Sequence, residues 1–188
     1  MKHAVLGLAV AVLVCAGCSK KSATEQMQSA MESHQRAQYA ADSLGIKANL
    51  PELFSPVIAD YEKVVADHPS SPEAEQALFK IAELHAGVLK EPARAVDDFR
   101  RYATAFPSGP KAQTAMFMIG YIYNNELNMI DSAGAAYRRF LERFPESELA
   151  TSAQYELNTL GKKPEELIPR EEEPAPPPVA RKADGKNS

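Results

Sequence analysis

The sequence predicts an all-α protein: a solenoid of about seven helices, laid down as helix–turn–helix units stacked one on the next. Three observations predict it. The chain repeats itself every 38 residues: Pro69, Pro107 and Pro145 keep that step, as do Tyr61, Phe99 and Tyr137. Val57, Ala95 and Ala133 keep it too, with Ala74, Ala112 and Ala150, and Phe79, Phe117 and Tyr155. A fixed period of about 20–50 residues marks stacked supersecondary units. Within each period the apolar residues fall three and four apart, as in Leu78, Ile81, Ala82 and His85, or Met116, Ile119, Gly120 and Tyr123, which is helical and not alternating spacing. The second half of each unit reads Ala95, Phe99, Tyr102, Phe106 and then Ala133, Tyr137, Phe140, Phe144, each closed by a proline. The residue before a proline is biased out of the helix, so each second helix has a stop signal.

The chain opens with residues 1–17, which read as a secretory signal. Lys2 supplies the positive end, and Ala4 to Val14 is apolar apart from Gly7. That run is too short for a membrane span, which needs about 20 apolar residues. It ends in Cys15-Ala16-Gly17-Cys18 and turns polar at once with Ser19-Lys20-Lys21-Ser22. Small residues directly before a cysteine resemble the signal of bacterial lipoproteins. Ala16, Gly17 and Cys18 match that pattern, while Cys15 stands where Leu or Val is usual. The resemblance implies lipidation at Cys18, acyl chains that hold the chain on a membrane, and a short lipidated linker over 18–23. Ser19 after the cysteine implies the outer membrane, on its periplasmic face. The plainer alternative is an ordinary cleaved signal with an incidental cysteine.

Residues 24–161 then form the helical domain. Both cysteines, Cys15 and Cys18, precede it, so a disulfide framework and thiolate metal sites are excluded there. Packing alone must hold about 140 residues together, enough for one core. Residues 24–44 are read as the first helix of an early unit, through Met27, Met31, Tyr39 and Leu44. Val57, Tyr61 and Pro69 supply its second helix. Ala150 to Leu160 begins a last first-helix, in which Asn158 and Gly161 depart from the repeat, as terminal capping units do. Residues 162–188 carry Glu171-Glu172-Glu173 and Pro174-Ala175-Pro176-Pro177-Pro178. That composition reads as a disordered Pro/Glu-rich tail, more a spacer than a ligand.

On these residues the chain resembles the tetratricopeptide repeat family. Met116, Ile119, Gly120, Tyr123, Ala133, Tyr137 and Pro145 follow that family's pattern closely. Leu78, Ile81, Ala82, His85, Ala95, Phe99 and Pro107 follow it more loosely. The physical sense is that a small Ala or Gly lets paired helices approach while aromatics fill the space between them. The period of 38 exceeds the family's usual ~34, which implies longer helices or turns.

No catalytic pattern emerges. His68 occupies the slot of Phe106 and Phe144, and His85 the slot of Tyr123, so both are read as packing residues in place of aromatics. His34 stands apart from both, on the first helix of the early unit. Asp97 and Asp98, next to Arg100 and Arg101, are read as a solvated helix face. There is no glycine-rich phosphate loop, HExxH or GxSxG, and no cofactor is expected. A formal charge of -4, one lower still once Lys2 leaves with the signal, argues against nucleic acid as a partner.

The family resemblance implies a partner-binding groove lined by first helices: Phe79, Glu83, Phe117, Tyr121, Asn124, Asn125 and Tyr155, with Thr159. Phe79, Phe117 and Tyr155 recur once per repeat, so they form either an aromatic ladder for a peptide or packing between helices. Packing is the favoured reading of the two. Tyr121, Asn124 and Asn125 are the better exposed contacts, since an amide donates and accepts. Residues 51–160 with the lipidation signal resemble the tetratricopeptide lipoproteins of the outer-membrane β-barrel assembly machine (the BamD family), which carry more repeats. The aromatic-and-proline spacing also resembles the periplasmic coordinators of the Tol–Pal system, which lack the anchor. Both imply a non-enzymatic envelope scaffold binding protein or peptide partners. β-Barrel assembly is the leading expectation; Tol–Pal or cell-wall coordination is the alternative.

Overall fold

The computed structural model describes residues 21–162, and these hold seven α-helices and no strand. They are α1 (Ala23–Leu44), α2 (Leu50–Asp67), α3 (Pro72–Glu83), α4 (Pro92–Ala105), α5 (Ala112–Asn125), α6 (Ile130–Arg143) and α7 (Ala150–Thr159). Residues 1–20, including Cys18, and the tail from residue 163 lie outside the described residues. Each helix packs on its neighbours in the chain, and α1 rests on α3 as well. The result is the helical-repeat solenoid that the spacing predicts, with α1, α3, α5 and α7 as first helices and α2, α4 and α6 as second helices.

Local chemistry sets the helix ends. Ser22 and Glu25 form a capping box: the Glu25 amide donates to Ser22 Oγ at 3.2 Å, and the Ser22 amide donates to the Glu25 carboxylate at 2.8 Å. Those bonds from Ser22 hold the Glu25 carboxyl below its usual range. Proline stands in the first turn of α2, α3 and α4, where its missing N–H costs nothing. The second helices all stop alike. Their capping residues His68, Phe106 and Phe144 share one conformation, with φ of -138°, -126° and -131°, and the proline that follows each prevents another turn. The turn between first and second helix also repeats. Lys90 (φ 55°) and Asn128 (φ 51°) take the left-handed conformation 38 residues apart. Glu91 N then donates to His85 O at 2.8 Å, and Met129 N to Tyr123 O at 2.7 Å. Ahead of Lys90, Leu84–Val88 form one wider, π-type turn.

The core runs as three overlapping clusters, and α3 belongs to two of them. Ala77, Ile81 and Leu84 pack toward α1 and α2, while Leu78, Phe79 and Ala82 pack toward α4 and α5. The third joins α6 and α7 to the far side of α5 through Tyr137, Phe140, Ala153, Met116 and Phe117. Small residues make these crossings close. A Cβ added at Gly120 would stand 2.7 Å from the Tyr137 ring, nearer than packed carbons approach. Ala77, Ala115 and Ala153, again 38 apart, are all 0% exposed.

Two sequence expectations need correction. In α1, Met27 is buried, but Met31, Tyr39 and Leu44 are exposed, and Ala30 and Ala37 fill the rest of the inward side. Past Met27 that face is made of alanines, which apolar spacing keyed to large side chains passes over. Asp98 is not on a solvated face: it is 6% exposed, within hydrogen-bond distance of His85 Nδ1 (2.6 Å) and accepting from Arg101 Nη1 (3.1 Å). Arg101 goes on to grip Glu62 of α2 with two nitrogens, at 2.7 and 3.0 Å, which raises its already high pKa further, chiefly through the Glu62 bonds. His85 does pack inside, as its aromatic slot implies, but as the polar end of this network. His68 sits half-buried, its Nε2 3.2 Å from the Lys21 carbonyl. Its backbone matches Phe106 and Phe144, whose rings stack on Tyr102 and Phe140.

Three substitutions test this packing. Asp98→Ala strips the shared carboxylate from His85 and Arg101 and is expected to cost about 2–3 kcal/mol in denaturant unfolding. Asp97→Ala, at a side chain 74% exposed, is expected to stay within about 0.5 kcal/mol. Among the described residues Tyr137 Oη is buried without a hydrogen-bond partner, and its repeat equivalent is Phe99. Tyr137→Phe is therefore expected to leave stability unchanged or raise it by up to about 1 kcal/mol, read as the thermal midpoint.

Candidate protein-binding groove

Two first helices, α1 and α3, lie side by side and leave a groove of about 960 Å³ between them. The alanine face of α1 turns toward α2, so its opposite stripe, Met31, Gln35, Gln38, Tyr39 and Asp42, is left to form one wall. The other wall is the α3 stripe Glu75, Gln76, Phe79, Lys80 and Glu83. Both stripes follow the three-and-four spacing of a single helix face. Tyr61 and Tyr102, from the second helices, reach the groove from behind, and Pro110 and Lys111 of the α4–α5 connection line it too.

Two clips fix α1 in place. Thr24 Oγ1 donates to Glu73 at the start of α3 (2.7 Å), and Gln26 Nε2 donates to Asp67 at the end of α2 (2.9 Å). His34 stands within the groove with Nδ1 3.0 Å from Tyr61 Oη and its ring edge-on to Phe54 and Tyr61. Burial pushes the His34 pKa below its ordinary value, and Lys80 adds to the effect. Tyr61 is shifted up by burial. Tyr102 Oη donates to Glu75 at 2.5 Å and accepts from the Lys111 amide at 3.1 Å. Burial first, then the Glu75 bond, raises its pKa well above the usual tyrosine value. Lys80 pairs with Glu83 at 2.7 Å, and the Lys111 ammonium lies 5.6 Å above the Phe79 ring.

Of the residues that sequence reasoning places in a groove, Phe79 and Glu83 line this one. Phe79 is 7% exposed and meets the rings of Phe99 and Tyr102 at 5.5 and 5.3 Å. Phe117 repeats that arrangement against Tyr137 and Phe140. These two aromatics pack within their own units. Tyr155 is 61% exposed, because among the described residues no second helix follows α7. Phe117, Tyr121, Asn124, Asn125, Tyr155 and Thr159 lie away from the groove, on α5 and α7. Tyr121 is 39% exposed; Asn125 Nδ2 donates to the Tyr121 carbonyl, and Asn124 Nδ2 to Glu156 of α7 at 3.2 Å.

The residues that sequence reasoning missed are mostly on α1: Gln35, Gln38 and Asp42, with Gln76 and Lys111 elsewhere. The usable signal was the alanine stripe Ala30, Ala37 and Ala41, which marks the buried side and so exposes the opposite one. No group of three His, Cys, Asp or Glu side chains among the described residues is placed to hold a metal ion.

Comparison with known proteins bears on the stack itself. Residues 76–109 and 114–147 each match the family model of the tetratricopeptide repeat. The first match runs from α3 through α4, and the second from α5 through α6. The four residues between them, 110–113, account for the step of 38 where the family repeats at about 34. They include Pro110 and Lys111, so the insertion that lengthens the period also lines the groove. No curated protein matches the chain.

His34 supplies a pH test. Its folded-state pKa lies below the unfolded value of about 6.5, so the folded state binds this proton less readily. Its contribution to stability is complete above that unfolded value and is lost as pH falls below it. Unfolding midpoints measured across that window should therefore fall less steeply with acidification in His34→Gln than in the parent chain.

Proposed function

We propose that this chain, carrying two tetratricopeptide repeats, is a non-enzymatic scaffold for protein partners in the bacterial envelope, tethered to the outer membrane through Cys18. The observation that carries the reading is the groove of about 960 Å³ between α1 and α3. Large side chains stand open along it, with Met31 55% and Tyr39 77% exposed. Helix-stack scaffolds use such concave faces for partners. Tyr121 and Asn125 on α5 offer a second contact surface. The membrane tether is supported by the apolar leader and by Ala16-Gly17-Cys18; acyl chains contribute about 0.8 kcal/mol per buried methylene. A role in outer-membrane β-barrel assembly is supported by the resemblance of residues 51–160, together with that signal, to the lipoproteins of the assembly machine.

A crosslinked pull-down of the full-length protein from native envelopes, read by mass spectrometry, tests the reading. Enrichment of the central barrel-assembly subunit is expected. Recovery of Tol–Pal or peptidoglycan-processing proteins without it would overturn the pathway and leave the scaffold. Cys18→Ala is expected to release the protein from the membrane fraction; unchanged association would remove the tether. The pair Tyr121→Ala and Asn125→Ala is expected to weaken capture of a partner without lowering the thermal midpoint.

A further inference from the structure

The groove between α1 and α3 has a charge pattern that the repeat framework does not require. Five carboxylates line it and the cleft that continues it past Met31: Glu32, Asp42, Glu73, Glu75 and Glu83. Two cations, Lys80 and Lys111, face them. Lys80 is taken up by Glu83 at 2.7 Å, and Lys111 lies over the Phe79 ring. Among the described residues the other four carboxylates pair with no lysine or arginine and accept from neutral donors. Gln28 serves Glu32 (3.3 Å), Gln38 serves Asp42 (2.9 Å), Thr24 serves Glu73 (2.7 Å) and Tyr102 serves Glu75 (2.5 Å). Several anions around one concavity raise the local concentration of a cationic partner and reject an anionic one.

Shape narrows the partner further. From Met27 to Asp42 the α1 wall runs about 22 Å at 1.5 Å per residue, which is the length of about seven residues of extended chain. A volume of about 960 Å³ suits one such strand. Met31, Tyr39 and the edge of Phe79 offer apolar contact. The Gln35 and Gln76 amides have no hydrogen-bond partner among the described residues, so each presents a donor and an acceptor to a peptide backbone.

We infer that this groove takes an extended, cationic segment of a partner protein, with apolar side chains alternating with Lys or Arg, seated on α1 and α3. The inference rests on the scaffold reading above and gives it a partner chemistry and a location.

The test uses the full chain and three fluorescently labelled nine-residue peptides, identical in their alternating leucines and carrying Lys, Gln or Glu between them. The Lys peptide is expected to bind at least about tenfold more tightly than the Glu peptide at low salt, with the ratio shrinking as salt screens the groove. The double variant Glu32→Lys with Asp42→Lys should abolish the preference while keeping the thermal midpoint, since both side chains are exposed. Equal binding of all three peptides, a preference for the Glu peptide, or an unaltered preference in the double variant would each overturn the inference. A partner captured from envelopes separates this failure from that of the scaffold reading. If the partner still binds the charge-reversed double variant, the groove assignment falls and the scaffold stands. If neither peptide nor envelope protein binds the parent chain, the scaffold reading falls with it.

Discussion

Close approach of the paired helices at one small residue is the constraint on which the rest of this stack depends. At Gly120 the space that a methyl group would fill is already held by the Tyr137 ring, and Ala82 holds the matching place beside Phe99 in the preceding unit. With the ring seated there, the second helix lies close enough for Phe79 or Phe117 to meet two aromatics of its own unit. No unit is complete alone. The two apolar faces of α3 pack in opposite directions, so burying one unit's face requires the next. A repeat of 38 residues is thus a repeat of this crossing, and the proline stops and the left-handed turns at 90 and 128 recur with it.

The two seams between units use different chemistry at equivalent positions. In the first, Glu62, Arg101, Asp98 and His85 link α2, α4 and the end of the α3 segment through ion pairs and hydrogen bonds. One period later, the places of Glu62, His85 and Asp98 are taken by Arg100, Tyr123 and Ala136. There, an Arg100 hydrogen bond to the Tyr123 hydroxyl and the stacking of that guanidinium over the ring replace the network. A buried carboxylate is tolerable at Asp98 because both its oxygens are engaged. Where the acid becomes Ala136, the histidine gives way to an aromatic that needs no such partner.

The groove follows from an asymmetry in α1. This helix is 22 residues long against 12 for the α-helical part of α3, and it attaches to α2 by alanines, leaving its larger side chains unburied. Those side chains, facing α3, form a wall of amide and apolar groups that ends at Asp42, opposite the carboxylates of α3. The insertion at residues 110–113 adds Pro110 and Lys111 to the same site. The groove therefore arises where the chain departs from its own repeat, at the first helix and at the lengthened connection, while the repeated positions supply the frame.

Much of the frame was legible from residue spacing. The period, the helical apolar pattern and the proline stops each report a local rule about backbone and burial, and seven helices stand where those rules place them. The small-residue positions were legible for the same reason, since Gly or Ala recurring opposite an aromatic has one packing explanation. The groove and the buried network were not. Asp98 next to Asp97 and two arginines looks like any solvated helix face until α2 and His85 are brought against it. The α1 wall looks like a weak amphipathic helix until its alanines are seen to be the buried side. By itself the sequence determined which segments are helices and how they recur, because those depend on neighbours within a few residues. Only the tertiary structure decided which carboxylates are buried and which face the groove, because that depends on side chains brought together from helices distant in the chain.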